Sequence, residues 1–249
     1  MILVILTIGL IVFIVGFLAL NTAWQRLSVG TLGLIILVFA AVMMIGNDKW
    51  HWGMHQTTTT KTETLTSAVK NNYVDLLLYE PVKKSNTEKV YVYRTTDSSK
   101  RQNTAVSLKA HNTVKTANVT QAKLTIKTTR WTYDSSAWRW LYSHTGKHTT
   151  LVKTENTFTI PKSWATLSVS QAQWLQKQAK LLSVKAKTEM TATVTAQVKK
   201  AQTADPNMTA AEVKALTKSV EQKVAAQAKQ AQPALIAKLV KQAQARSIH

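Results

Sequence analysis

MILVILTIGLIVFIVGFLAL (Met1–Leu20), NTAWQR (Asn21–Arg26) and LSVGTLGLIILVFAAVMMIG (Leu27–Gly46) open the chain. Neither twenty-residue run carries a charged side chain. Twenty helical residues extend about 30 Å, the thickness of bilayer hydrocarbon. The six-residue link forces the two runs back to back. The pair therefore reads as a transmembrane helical hairpin, 1–20 and 27–46, with the N-terminus and everything after Gly46 on one side. A cleaved signal peptide fits less well. It would need a basic n-region and a small-residue cleavage motif, and Met1–Leu20 has neither. Gly9 and Gly16 on the first run, and Gly30, Gly33, Ala40 and Ala41 on the second, are the small residues that let helices approach closely in lipid.

Trp24 lies in the link, and Trp50 and Trp52 lie just past the second run. Indole couples an apolar ring to a polar N–H and prefers the headgroup layer. These three residues read as membrane-interface anchors at both faces. His51 and His55 among them are the weak metal candidates. Their i,i+4 spacing would share a helical face, but Trp52 stands where the zinc-protease motif has Glu. Two imidazoles also fall short of the three protein ligands of a catalytic zinc site. His111, His144, His148 and His249 are scattered. No metal site and no cofactor are expected.

Beyond Gly46 the chain is strongly basic. From His51 onward there are 30 Lys and Arg against 11 Asp and Glu, within a net charge of +20 for the 249 residues. Such a balance attracts polyanions without naming one. Cysteine is absent, which excludes disulfides, thiolate zinc sites and cysteine nucleophiles. There is no Gly-rich phosphate loop and no G-x-S-x-G elbow. No positive sign of an enzyme is present.

The division reads as 1–47 for the two helices, 48–64 for an interfacial segment and stalk, 65–168 for a β domain and 169–249 for an Ala/Gln/Lys-rich helical region. Gln56–Glu63, QTTTTKTE, suits a stalk or an edge strand. VDLLLYEPV (Val74–Val82) and KVYVYRT (Lys89–Thr95) read as strands, the latter with Val90, Val92 and Arg94 on one side and Tyr91 and Tyr93 on the other. TDSSKRQN (Thr96–Asn103) reads as a loop. RWTYDSSAWRWLYS (Arg130–Ser143) reads as a hairpin turning at Asp134–Ser136, with aromatics at period two. Its Arg130, Trp131, Trp138, Arg139 and Trp140 are candidates for an aromatic and basic platform, against cross-strand core packing. The strands fit an antiparallel sandwich or barrel-like domain, so the class is membrane-anchored α+β. After Ser170, a candidate cap, one helix runs to Asp205–Pro206. Thr209 and Glu212 form a capping box for a second, and Pro233 opens a third.

The two N-terminal runs, GNDKWHWGMH (Gly46–His55), the Thr-rich tract, YEPV (Tyr79–Val82), KVYVYRT and NTFTIPKSW (Asn156–Trp164) together resemble an uncharacterised family. It comprises two-span membrane proteins of lactobacilli and related Gram-positive bacteria, built on a domain of unknown function. The resemblance covers about Met1 to Leu167. It implies a bacterial cell-membrane protein and carries no activity, cofactor or catalytic residue. The function expected is a non-catalytic, multi-pass envelope protein. Its partners would be the lipid bilayer and an anionic wall polymer, anionic lipid or protein partner. Sidedness is open to two readings. Lys49 and Lys61 against Arg26 slightly favour a cytoplasmic C-terminal domain, but long domains translocate largely regardless of charge. The extracellular placement is preferred. The alternatives are a nucleic-acid-binding module at the cytoplasmic face and a membrane enzyme with an unrecognised site.

Overall fold

A computed structural model describes residues 1–69, 74–82, 88–146 and 149–247, so His148 and His249 lie outside the described residues. The chain is mixed α+β, with apolar helices first, a β-sheet next and long helices last. It divides into two units: residues 1–62, 107–113 and 125–156, and residues 63–106, 114–124 and 157–249.

In the first unit, α1 (Ile2–Leu18) and α2 (Ala23–Trp50) pack antiparallel. The six-residue link of the sequence reading shrinks to Ala19–Thr22, because Trp24 and Arg26 already belong to α2. Arg26 explains why a lone charge sits there. Its Nε and Nη2 donate to the Phe17 carbonyl at 3.2 and 3.0 Å. They satisfy an orphan acceptor at the negative end of α1. Among the described residues only α2 is long and apolar enough to cross a membrane by itself; α1 is a shorter apolar helix of 17 residues. Small residues set the contact. A Cβ on Gly16 would lie 2.5 Å from the Gly30 nitrogen, and one on Gly9 would lie 2.9 Å from the Leu37 nitrogen. Backbone meets backbone, which side chains at these positions would prevent.

The strands are β1 (Met54–Thr66), β2 (Leu76–Pro81), β3 (Lys89–Thr95), β4 (Ser98–Asn103), β5 (Ala110–Ala117), β6 (Lys123–Tyr133), β7 (Thr150–Pro161) and β8 (Ala165–Ser168). They belong to one sheet with order β5-β7-β6-β1-β3-β2-β8, and β4 also pairs with β3. Among the described residues the strands make one curled sheet, a half-barrel, in place of the two sheets of a sandwich. Nor is the sheet wholly antiparallel. β2 and β8 run parallel, Leu76 opposite Ala165 and Leu78 opposite Leu167. Such a pair needs a long crossover, which a strand-by-strand reading cannot anticipate. Gln56–Glu63 lies within β1, and its threonines find partners on β6, whereas the pairing of β1 with β3 is at Leu65 and Thr66. Thr57 Oγ1 meets Thr132 Oγ1 at 2.7 Å, and Thr58 Oγ1 meets Thr129 Oγ1 at 2.9 Å. The expected loop at Thr96–Asn103 contains β4, paired antiparallel with β3.

In the second unit the alternation of β2 and β3 separates two cores. Leu76, Leu78 and Val92 pack with Ala165 and Leu167 against Leu175, Leu239, Val240 and Ala243 of the C-terminal helices. On the opposite strand positions the Tyr91 ring lies 6.2 Å from Tyr79 and 5.0 Å from Phe158. Burial pushes the Tyr79 and Tyr91 phenols up, Tyr91 further through its neighbour Tyr79. The C-terminal region holds two helices where three were expected: α4 (Val169–Ala204) and α5 (Ala210–Gln244). Ser168, with Gln171, closes the capping box of α4 in place of Ser170. Pro233 lies inside α5. The helix continues through it because apolar residues on both sides, Val220 and Leu239–Val240, stay buried. All twelve lysines of α4 and α5 are exposed.

Candidate functional site

The residues singled out by sequence gather where α2 gives way to β1. All lie in the first unit, and Trp24 alone of them stands at the opposite end of α2. α2 ends because His51 adopts the left-handed conformation, φ 56°. The Gly46 carbonyl then accepts from the backbone N–H of both His51 and Trp52, the latter at 3.2 Å. Asn47 Nδ2 donates to the Trp52 carbonyl at 2.9 Å. Trp52 folds its ring back over Gly46, where any Cβ would overlap it. Gly53 takes φ 72°, and Met54 N–H closes the turn on the His51 carbonyl at 3.0 Å.

His51 and His55 therefore share no helical face. One is the helix stop, the other is on β1. The His51 ring stacks on Trp131 with centroids 4.3 Å apart. His55 Nδ1 lies 2.7 Å from Asp134 Oδ1, and its Nε2 lies 3.4 Å from Thr132 Oγ1. Among the described residues no three His, Cys, Asp or Glu side chains gather in a way that could hold a metal.

The expected hairpin at Arg130–Ser143 is not a hairpin. β6 ends at Tyr133, and Ser136–Leu141 forms a short helix, α3. Ser135 is its N-cap, its hydroxyl accepting from the Trp138 N–H at 3.4 Å. Helical spacing explains the aromatics. Residues four apart are about 6 Å apart on a helix and about 13 Å apart on a strand. The Trp138 and Tyr142 rings stack at 6.2 Å, and Tyr142 and Tyr133 at 5.8 Å. The Tyr142 hydroxyl donates to the Met43 carbonyl of α2 at 2.8 Å. Burial, and secondarily Tyr133, pushes this phenol up, so it stays a neutral donor. Ile2, Ala40, Tyr133 and Tyr142 are buried together, with Leu6, Met44, Trp138 and Leu141 packed around them.

The candidate platform residues thus occupy different settings. Trp138 packs over Gly53 and into this cluster. Trp131 is half-buried on His51. Trp140, Arg130 and Arg139 are exposed. Trp50 and Trp52 stack at 5.7 Å with their outer faces exposed, and Trp24 is 78% exposed at the other end of α2. Sequence reasoning missed Tyr133, Asp134 and Tyr142. The legible signal was Ser135 followed by Trp138 and Tyr142 at i,i+4.

A family model for a domain of unknown function, DUF4811, matches residues 22–175. The chain belongs to the DUF4811 family. The matched segment runs from the N-cap of α2 through the sheet to the first turns of α4. Neither the comparison with curated proteins nor that with solved structures finds a match.

Proposed function

We propose that this DUF4811 protein is a non-catalytic membrane-anchored protein of the Gram-positive cell envelope. In this reading α1 and α2 both cross the bilayer, and the remainder of the chain lies outside the cell. Its lysine-rich surface meets an anionic wall polymer or lipid surface. One observation carries the anchoring. The apolar side chains of α1 and α2 point outward: Val4, Ile8, Ile11 and Val15 on one, and Leu34, Ile35, Val38 and Val42 on the other, are exposed. A core helix would bury such residues, and water would penalise them by about 25 cal/mol per Å². Lipid makes them cheap. Trp24 and the Trp50–Trp52 pair then mark the two headgroup layers. The second part rests on 30 basic against 11 acidic residues from His51 onward. Lysine dominates, and its ammonium acts as a flexible point charge suited to diffuse attraction.

The test has two arms. The chain should stay with membranes through carbonate and high-salt washes; release into the soluble fraction overturns the anchoring. Purified full-length protein should bind wall polymer or anionic vesicles at about 50 mM salt and lose most of that binding at about 500 mM, where screening is far shorter. Binding to none of them at the lower salt overturns the polyanion reading. A sequence-dependent preference for single-stranded nucleic acid would favour a nucleic-acid module at the cytoplasmic face instead.

A further inference from the structure

We infer that α3 is a membrane-contacting element in its own right, seated in the headgroup layer beside α1 and α2 with Trp140 toward lipid. The inference rests on the membrane reading above and adds to it a contact site outside the two apolar helices.

Depth is the first argument. Tyr142 is held to Met43, which precedes the end of the uncharged run at Gly46 by three residues. At about 1.5 Å per residue, that contact lies about 4.5 Å inside the run and about 10 Å below Trp50. On α1 the residues packed in the same cluster are Ile2, Ile5 and Leu6, at the start of its own uncharged run. The Tyr142 ring thus reaches the last turns of α2 and the start of α1, while Trp138 of α3 packs over Gly53, just past the end of α2. The short helix therefore sits at the boundary where the apolar helices end.

The composition of α3 is the second argument. Its sequence, SAWRWL, has Arg139 as the only charge. Trp138 and Leu141 face the cluster, which accounts for them as packing. Packing does not account for Trp140, which is 60% exposed. An exposed indole beside exposed aliphatic helix faces belongs at a lipid–water boundary, where its ring is apolar and its N–H wet. Arg139, exposed next to it, can lay its methylenes along that boundary and raise its guanidinium to phosphate. The N-terminal ammonium of Met1 lies 3.4 Å from the Trp140 carbonyl, so α3 adjoins the start of α1, and the occupant of its exposed indole face is the phospholipid interface itself.

The absence of cysteine lets single cysteines report depth. Nitroxide labels would be placed at Trp140→Cys, at Ala137→Cys (which keeps Trp140), at Val38→Cys and at Thr60→Cys, in full-length protein reconstituted into phosphatidylglycerol–phosphatidylcholine vesicles. Collision with oxygen and with a water-soluble nickel chelate gives a ratio that rises with depth. We expect Val38 highest, Thr60 lowest, and Trp140 and Ala137 several-fold above Thr60. Labels at both α3 positions matching Thr60, with Val38 in lipid, would overturn the α3 inference and leave the membrane reading standing. A water-exposed Val38 label would overturn the membrane reading and this inference with it.

Discussion

Gly16→Leu tests the packing of α1 on α2. A Cβ at position 16 would lie 2.5 Å from the Gly30 nitrogen, 2.8 Å from its Cα and 2.9 Å from the Val29 carbonyl carbon. All three are backbone atoms, so no rotamer change gives relief. Ordinary contact begins at 3.4 Å, so the helices must part by about 0.9 Å. A gap of that size forfeits about a quarter to a half of the dispersion attraction of the facing atoms. Overpacking of a close contact costs about 1–3 kcal/mol. Leucine's better helix propensity offsets up to about 1 kcal/mol, leaving a net loss of up to about 2 kcal/mol. Gly9→Ala should cost less, because its Cβ would meet Leu37 and Ile36 at 2.9 and 3.0 Å. Val15→Leu, on the exposed face of α1, should be neutral. The assay is the midpoint of unfolding in mixed micelles as the mole fraction of dodecyl sulfate rises, read by helical circular dichroism. The expected order of midpoints is wild type and Val15→Leu, then Gly9→Ala, then Gly16→Leu. Gly16→Leu unfolding at the wild-type midpoint would refute the backbone-to-backbone contact.

Gly53→Ala should lower the thermal midpoint and weaken the near-ultraviolet aromatic signal. It imposes a Cβ at φ 72° against the Trp138 ring, and a non-glycine residue held at such an angle costs about 1–3 kcal/mol; an unchanged midpoint would remove Gly53 from the turn. Glu212 provides a pH prediction. The Thr209 backbone N–H, and then its hydroxyl, bond the Glu212 carboxylate and hold it below its ordinary value of 4.5. The ionised form is thus favoured in the folded chain, so its contribution is complete above the unfolded pKa and disappears as pH falls through the lower folded one. The Thr209 amide shift in nuclear magnetic resonance should titrate with a midpoint below 4.5 and lose that transition in Glu212→Gln; a midpoint at or above 4.5 would contradict the capping box.

Read alone, the sequence determined the chemistry that is local. Two uncharged runs with glycines at close spacing required apolar helices that pack, and α1 and α2 do so through Gly9, Gly16 and Gly30. Alternation placed Val92 and the Tyr91–Tyr93 pair on opposite sides of β3. T-A-A-E at Thr209–Glu212 announced the cap of α5. These signals depend on neighbours within a few residues, so no tertiary knowledge was required. The tertiary structure decided whatever depended on distant partners. The parallel pairing of β2 with β8 joins residues nearly ninety positions apart. His55 was an apparent ligand until Asp134 arrived from the turn that follows β6. Trp138, Trp140 and Tyr142 satisfy period two, and Trp138 with Tyr142 satisfies the four-residue spacing of a helix as well. Only the Ser135 cap and the seat of Tyr142 on Met43 chose the helix, because a ring buried against α2 gains packing and a hydrogen bond that a free strand would leave unmade.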